Sequence, residues 1–391
     1  MKPPNERALF SLVIPTYNER NNLPPLIERL TGALEATARD YEIIIVDDDS
    51  PDETWRVATE MASANPRLRV IRRRGERGLA TAVTAGWRDA RGDILGVMDG
   101  DLQYQPEGLP ELLKPVLQGR ADIVVGSRYA SGATVAGWSR LREMISRAAI
   151  LIAKLFLPAA LRNLRDPSAG CFVMRRKVIE DVKLCPIGYK ILIEVLARGR
   201  YEHVVELPYP YEGRKEGKSK LGSRQVFEFL RHISRLARET GELARLAKFC
   251  AVGVFGVLVN LGVLWTLTEL YLTYYLYSAA IAVEAAIANN FIWNEFWTFA
   301  DKTRGTRTLR HRFGRFFKFN MICSGGALLN LGALWSLTHL LGIYYLISAL
   351  VAVGAAMAWN YCLNSHITWL SQRHRVGHRS HDSALMSRRI A

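Results

Sequence analysis

The sequence predicts two architectures in one chain, an α/β domain followed by an all-α membrane domain of two repeated transmembrane hairpins. Three observations carry this reading. Residues 1–245 hold 71 of the 89 charged side chains, and none lies between Phe319 and Trp369. The front part alternates short apolar runs with helix-length segments. The back part repeats itself: aligning Phe249–Phe299 on Phe319–Trp369 without gaps gives 24 identities in 51 positions, a period of 70. With 49% hydrophobic residues so unevenly placed, a uniform soluble globule and a disordered basic tail are both excluded.

The front elements follow in order. Ser11–Pro15 is a short strand ending in Pro-Thr-Tyr-Asn-Glu, and a helix is expected from Leu23 to Thr37. Glu42–Val46 (EIIIV) is a second strand, apolar after its first residue, ending in Asp47-Asp48-Asp49-Ser50-Pro51-Asp52. A helix over 53–64 leads to a strand at Arg69–Arg72, and a helix over 78–90 leads to Ile94–Met98, which ends in Asp99-Gly100-Asp101-Leu102-Gln103. Strands without polar alternation, separated by helices, predict a parallel sheet covered on both faces. Ligands of such sheets bind at the carboxyl ends of the strands. Three of these strands end in polar or acidic residues.

In the back part four apolar stretches, 249–270, 275–298, 319–341 and 344–367, each approach the ~20 residues that cross a bilayer. Asn260-Leu261-Gly262 recurs as Asn330-Leu331-Gly332, and Asn290 and Asn294 recur as Asn360 and Asn364. Each unit crosses twice, so the copies share one orientation and form a parallel repeat. Asp301–Lys318 holds seven Lys/Arg and one acid, and the tail adds Arg373, Arg375, Arg379, Arg388 and Arg389. The positive-inside rule then puts the front domain and both termini on the cytoplasmic face. The intramembrane asparagines are expected to hydrogen-bond neighbouring helices. Glu284 is a functional candidate, because an acid at that depth needs a partner.

Two segments, Trp138–Leu161 and Gln225–Leu246, mix arginines with apolar residues such as Ile145, Leu151, Phe229, Ile233 and Leu236. Both fit amphipathic helices lying in a membrane interface. The expected boundaries are a catalytic domain over 1–224, juxtamembrane helices over 225–248, the transmembrane repeat over 249–369 and a basic tail over 370–391. Met1–Arg7 is polar and charged, so no signal peptide is expected. The five cysteines have neither metal spacing nor the pattern of a disulfide framework, which suits a reducing cytosolic face. The net charge of +15 suits a membrane surface and anionic substrates, and no nucleic-acid module is evident.

The chemical centre is Asp99-Gly100-Asp101. Two carboxylates on a strand-exit turn can share a hard divalent cation that keeps sites open for a diphosphate. There is no phosphate-loop signature of an NTPase and no Gly-x-Gly-x-x-Gly after the first strand.

PTYNE, VDDDSPDET, MDGDLQ, GSRY, PIGYKILIE and KSKLG, in that order over residues 8–235, resemble the dolichol-phosphate mannose synthases. These are inverting family-2 glycosyltransferases with a GT-A (Rossmann-like) fold. The repeat resembles the GtrA-like four-helix domain fused to some of them. The resemblance implies that Pro15, Tyr17, Glu19, Val46 and Asp48 hold the nucleoside, and that Asp99, Gly100 and Asp101 face ribose and diphosphate. Asp101 and Gln103 would bind Mg²⁺ or Mn²⁺. Arg128 and Arg142 would hold the acceptor phosphate. Lys190, Arg214 and Lys220 would be diphosphate-side and mobile-loop cations. Gly100 and Tyr104 depart from the Ala and His common at those positions.

The expected reaction is inverting transfer of mannose from GDP-mannose to dolichyl or another polyprenyl phosphate. It gives dolichyl β-D-mannosyl phosphate and GDP, with Asp99, Asp101, Arg128 and Arg142 as the catalytic set. A polyprenyl phosphate is already an anion, so no general base is required, and positioning and charge neutralisation dominate. Two alternatives stand beside it: a UDP-glucose polyprenyl-phosphate glucosyltransferase, and a lipid-linked-sugar translocase whose front domain is accessory. The sequence does not decide the oligomeric state.

Overall fold

The apolar runs of the front part become buried strands. β1 (Phe10–Thr16), β2 (Tyr41–Asp47), β3 (Leu68–Arg72) and β4 (Ile94–Val97) lie parallel, with β1 and β2 buried along their whole length. The helices α1 (Leu23–Glu35), α2 (Thr54–Ala64) and α3 (Leu79–Asp89) connect them. This computed structural model describes residues 9–37, 40–213, 222–303 and 308–369. The chain divides into two units, Met1–Ile152 with Asn163–Leu236, and Ala153–Arg162 with Ala237–Ala391.

Beyond β4 come α4 (Leu109–Leu117), β5 (Ile123–Ser127), α5 (Arg140–Phe156), α6 (Pro158–Leu161), β6 (Phe172–Arg175), α7 (Ile191–Arg198) and β7 (Val204–Pro208). The sheet has seven strands in the order β3-β2-β1-β4-β6-β5-β7. It is mixed, against the expectation of a purely parallel sheet: β6 runs antiparallel between β4 and β5. The cause is its entry point. Phe172, the first residue of β6, pairs with Val97 and Val125 at the carboxyl edge, so the strand can only run back down the sheet. The segment just before it, 166–171, is thereby held at the edge where β4 and β5 end. Leu12, Ile14, Ile43, Ile45, Leu23, Tyr104 and Tyr209 share one core beneath that edge.

α8 (Ser223–Glu239) straddles the boundary between the units, and Gly241, at φ 76°, separates it from α9 (Glu242–Trp265). α10 (Tyr275–Trp293), α11 (Leu309–Trp335) and α12 (Tyr345–Leu363) complete the second unit. Among the described residues four helices are long and apolar enough to cross a membrane: Glu242–Leu270, Tyr275–Thr298, Leu309–Leu340 and Tyr345–Thr368. Two begin earlier than the apolar stretches do. Their first turns carry Glu242, Arg245 and Lys248 or Arg310, Arg312 and Arg315, which a hydropathy reading excludes although the helix continues through them.

The duplication persists in backbone detail. The four spans end in π-turns at Thr266–Leu270, Asn294–Thr298, Ser336–Leu340 and Asn364–Thr368, two pairs separated by the same 70 residues. The asparagines mark helix approach. A Cβ on Gly256 would lie 2.3 Å from Asn290 Oδ1, and one on Gly326 would lie 2.4 Å from Asn360 Oδ1. Small residues let the backbones of each hairpin come this close. Phe299 and Trp369, equivalent positions of the two copies, stack with centroids 4.4 Å apart. Asn320 Nδ2 lies 3.5 Å from Glu284 Oε2, which supplies the partner the sequence left unidentified.

The amphipathic segments differ from expectation in which face they show. On α8, Phe229, Ile233 and Leu236 are buried, and Val226, Phe227 and Leu230 are exposed. The face read from sequence as interfacial is the packed one. Its His232 is buried against Glu194 of α7, with Nε2 and Oε2 2.6 Å apart. On α5, Leu141, Met144, Ile145 and Leu151 are exposed, while Ile150 is buried.

Candidate active site

At the ends of β1 and β2 the acidic run is largely engaged by the protein itself. Asp47, fully buried, accepts from the Thr16 hydroxyl at 2.9 Å and from the Ser50 backbone at 2.8 Å. Asp48 accepts from Arg73 Nε at 2.7 Å and from the Gly78 N–H at 2.7 Å. Asp49 is paired with Arg72, whose guanidinium stacks 3.6 Å from the Trp55 ring. Asp52 accepts from the Arg20 and Thr54 N–H groups. Around them, Pro15 and Val46 pair across β1 and β2, and Glu19 accepts from Asn22 Nδ2 at 2.7 Å. Tyr17 is half-exposed, with the Arg77 guanidinium 5.1 Å from its ring centroid.

The exit of β4 is built differently. Asp99, Gly100 and Asp101 turn sharply into Leu102, whose φ of 58° is left-handed and costs a non-glycine residue about 1 kcal/mol. Asp101 Oδ1 accepts from the Gln103 N–H at 3.2 Å. Gln103 is fixed at both ends of its amide: Nε2 donates to the Glu212 carbonyl at 3.2 Å, and Oε1 accepts from the Tyr211 hydroxyl at 2.8 Å. Gly100 is tight, since a Cβ there would sit 3.2 Å from Thr16 Cγ2. Gly170 is tighter still: its Cβ would fall 1.9 Å from Asp99 Oδ2. The Gly170 N–H donates to the Tyr104 hydroxyl at 2.8 Å, so the unexpected tyrosine ties the 166–170 loop to the Asp99 turn.

Three cations act on the same groups as these carboxylates. Arg128, one residue beyond β5, is buried and donates from Nε and Nη2 to Asp166, both at 2.7 Å. Nη2 also donates to Ser168 Oγ at 2.9 Å, which leaves the two Nη1 hydrogens without a hydrogen-bond partner among the described residues. Burial alone would raise the Asp166 carboxyl, but the hydrogen bonds and charge of Arg128 hold it below its ordinary range. Arg142, in the first turn of α5, lies with its guanidinium 4.7 Å from the Trp138 ring centroid. Lys190 Nζ donates to the Ser168 carbonyl at 2.9 Å. Burial, and then the charge of Arg128, lower its pKa, against the pull of Asp166 and Asp99. Burial first, then Asp101, raise the hydroxyl of Tyr211, while Arg128 and Arg142 oppose. Tyr211 therefore sits within electrostatic reach of both aspartates and both arginines as a neutral donor.

Arg214 and Lys220, expected as diphosphate-side and mobile-loop cations, lie outside the described residues. Arg73, Asp166, Ser168, Gly170 and Tyr211 belong to the constellation and were missed from sequence. The one available signal was Asp166-Pro167-Ser168-Ala169-Gly170, a turn-forming run directly before an apolar strand.

The profile of glycosyl transferase family 2 matches residues 11–183, and that of the GtrA/DPMS transmembrane domain matches residues 248–369. A dolichol-phosphate mannosyltransferase from Pyrococcus furiosus is 44% identical over 359 residues, spanning 92% of this chain and 99% of its own. The chain belongs to the dolichol-phosphate mannosyltransferase family. It is a family-2 glycosyltransferase with four membrane-span candidates behind its catalytic fold. The family's enzyme from Mycosarcoma maydis is 33% identical and covers 58% of this chain and 79% of its own. Among solved structures, mannosyl-3-phosphoglycerate synthase from Rubrobacter xylanophilus is similar, with 24% identity, a TM-score of 0.46, and 61% and 80% of the two chains covered.

Proposed function

We propose that the chain transfers mannose, with inversion, from GDP-mannose to dolichyl or another polyprenyl phosphate at the cytoplasmic membrane face. The observation that carries this reading is the meeting of Asp99, Asp101, Arg128 and Arg142 at one residue, Tyr211, which feels the charge of all four. A site for two phosphate-bearing substrates needs such an arrangement. The free Nη1 edge of Arg128 can take oxygens of the acceptor phosphate, as guanidinium geometry favours. Arg142 adds a second positive charge, and Asp166 keeps the Arg128 plane from rotating. The acceptor oxygen is already negative and attacks the anomeric carbon directly as the bond to the diphosphate breaks, with no proton to remove. Lys190 sits where positive charge can accompany the departing diphosphate.

The carboxylates of Asp99 and Asp101 and the amide oxygen of Gln103 form an all-oxygen donor set, which suits Mg²⁺ or Mn²⁺. Such an ion, when bound, supplies charge neutralisation to the leaving diphosphate. Asp101 and Gln103 are the residues that would hold it, and Tyr211 fixes the orientation of the amide.

Donor competition tests the reading. Full-length protein in membranes is offered radiolabelled GDP-mannose and UDP-glucose, with and without Mn²⁺, and label in the lipid fraction is counted. Label arriving from GDP-mannose and lost on chelation is expected. Label from UDP-glucose alone overturns the donor assignment, and an Asp101→Ala variant retaining full metal-dependent transfer overturns the site.

A further inference from the structure

One carboxylate outside the constellation spends itself on backbone alone. Glu206, on β7, is half-exposed and has no ion pair among the described residues. Its two oxygens accept instead from two consecutive backbone N–H groups, Oε2 from Arg165 at 2.6 Å and Oε1 from Asp166 at 2.7 Å. Bonds from neutral donors to a charged acceptor are short and strong. With both bonds made to neighbouring residues, the backbone at 165–166 can neither slide nor turn without breaking one of them.

That stretch of backbone carries Asp166, which is fully buried and engaged on both oxygens by Arg128. Oδ2 accepts from Arg128 Nε at 2.7 Å and from the Arg128 N–H at 3.1 Å, and Oδ1 accepts from Nη2 at 2.7 Å. The Asp166 carboxylate therefore sets the plane of the guanidinium, and its own backbone sets the place of the carboxylate. The loop is fastened at both ends: Gly170 to the Tyr104 hydroxyl, and Arg165 with Asp166 to Glu206. Arg165 also donates from Nη1 to Ser131 Oγ at 2.9 Å, three residues past Arg128. β5 and β7 pair in parallel with Val125 opposite Glu206, so the strand that bears the clamp is the neighbour of the strand that leads to Arg128.

We infer that Glu206 is a positioning residue for the acceptor: it holds the Arg165–Asp166 backbone so that Asp166 keeps the Nη1 edge of Arg128 presented to the lipid phosphate. This rests on the reading of Arg128 as an acceptor-phosphate residue. Glu206 touches no substrate and acts through two intervening groups. The two fastenings divide the loop by substrate. The Gly170 end bears on Asp99 and the Glu206 end on Arg128, so loosening the second should be felt by the acceptor and not by the donor.

Initial rates of the full-length protein in membranes, at varied lipid phosphate and varied GDP-mannose, test this. Glu206→Gln keeps the size of the side chain but leaves one loop N–H facing an amide NH2. KM for the lipid phosphate should rise about fivefold, with the KM for GDP-mannose unchanged and kcat within about twofold. Glu206→Asp keeps the charge but is one methylene short of the two N–H groups, and should raise the same constant about threefold. The two substitutions stand independently, so a melting curve that shows one of them unfolded leaves the other as the test. A clamp that only supports the fold would lower the melting temperature and raise neither KM, or both together, and either pattern overturns the inference. A double-mutant cycle with Arg128→Lys, which already lacks the two-point grip on Asp166, asks whether the effect passes through Arg128. In that background Glu206→Gln should change the lipid-phosphate KM by less than about twofold, and effects that multiply in full overturn the inference. A raised KM in Arg128→Lys beside an unchanged one in both Glu206 variants overturns the positioning role alone. An unchanged lipid-phosphate KM in Arg128→Lys as well overturns the assignment of Arg128 to the acceptor.

Discussion

Two corners of one sheet edge carry similar acidic sequences and do different things. At the ends of β1 and β2, Asp47, Asp48, Asp49 and Asp52 all have partners within the protein, and Arg73 and Arg72 are held in the process. Beyond β4 and β5, Asp99, Asp101, Arg128 and Arg142 all act on Tyr211, Lys190 feels Asp99 and Arg128, and Arg128 keeps donors in reserve. A run of aspartates therefore does not measure ligand capacity. The first corner is mainly an internal brace, and the second is the one that the proposed function assigns to the substrates.

The comparison can be broken from either side. Arg73→Met should have the largest effect and should fall on stability. It leaves the buried Asp48 without its cation, at about 3 kcal/mol, which lowers the melting temperature by about 6–12 °C. Gly170→Ala should do the reverse. The added methyl must displace Asp99, so kcat for sugar transfer should fall about 100-fold with little change in melting. A Gly170→Ala enzyme within threefold of wild type would remove the second corner from the chemistry.

Arg128→Lys keeps the charge but loses the two-point grip on Asp166. It should raise KM for the lipid phosphate about tenfold and leave donor KM unchanged, as initial-rate kinetics at varied acceptor will show. A pH series refines the role of Lys190. Its lowered pKa means that its charge is lost at lower pH than an ordinary lysine, so kcat should fall as pH rises through that value. Lys190→Arg should carry activity further into the alkaline range. The stability contribution has the opposite sign: between the folded and unfolded pKa values the unfolded chain binds the extra proton, so stability rises with pH there. Tyr104→Phe should have the smallest effect. It removes one hydrogen bond to Gly170, about 1 kcal/mol, seen as a melting shift of a few degrees.

The sequence made β1, β2 and β4 readable because each is a mostly apolar run closed by proline or aspartate, and β3, with two arginines in five residues, by its place between two helices. β5, β6 and β7 were harder. They are four or five residues long, and the direction of β6 is fixed by pairing with strands far away in sequence. The site divides in the same way. Asp99 and Asp101 follow from a local motif, but Asp166 meets Arg128 from 38 positions away in the chain. In the helical unit the repeat was legible down to the asparagines. The charged first turns of α9 and α11 were not, because their helices extend beyond their apolar segments.

The Tyr104 hydroxyl and the Gly170 backbone join the loop that follows β4 to the loop that leads into its sheet neighbour β6. Neither can be inherited separately. A chimera taking residues 99–104 from a relative with histidine at the tyrosine position would leave the 166–170 loop without its tether. One taking only the later loop would meet Asp99 with the wrong backbone. Exchange of this site between enzymes has to move both segments at once, however few residues each contains.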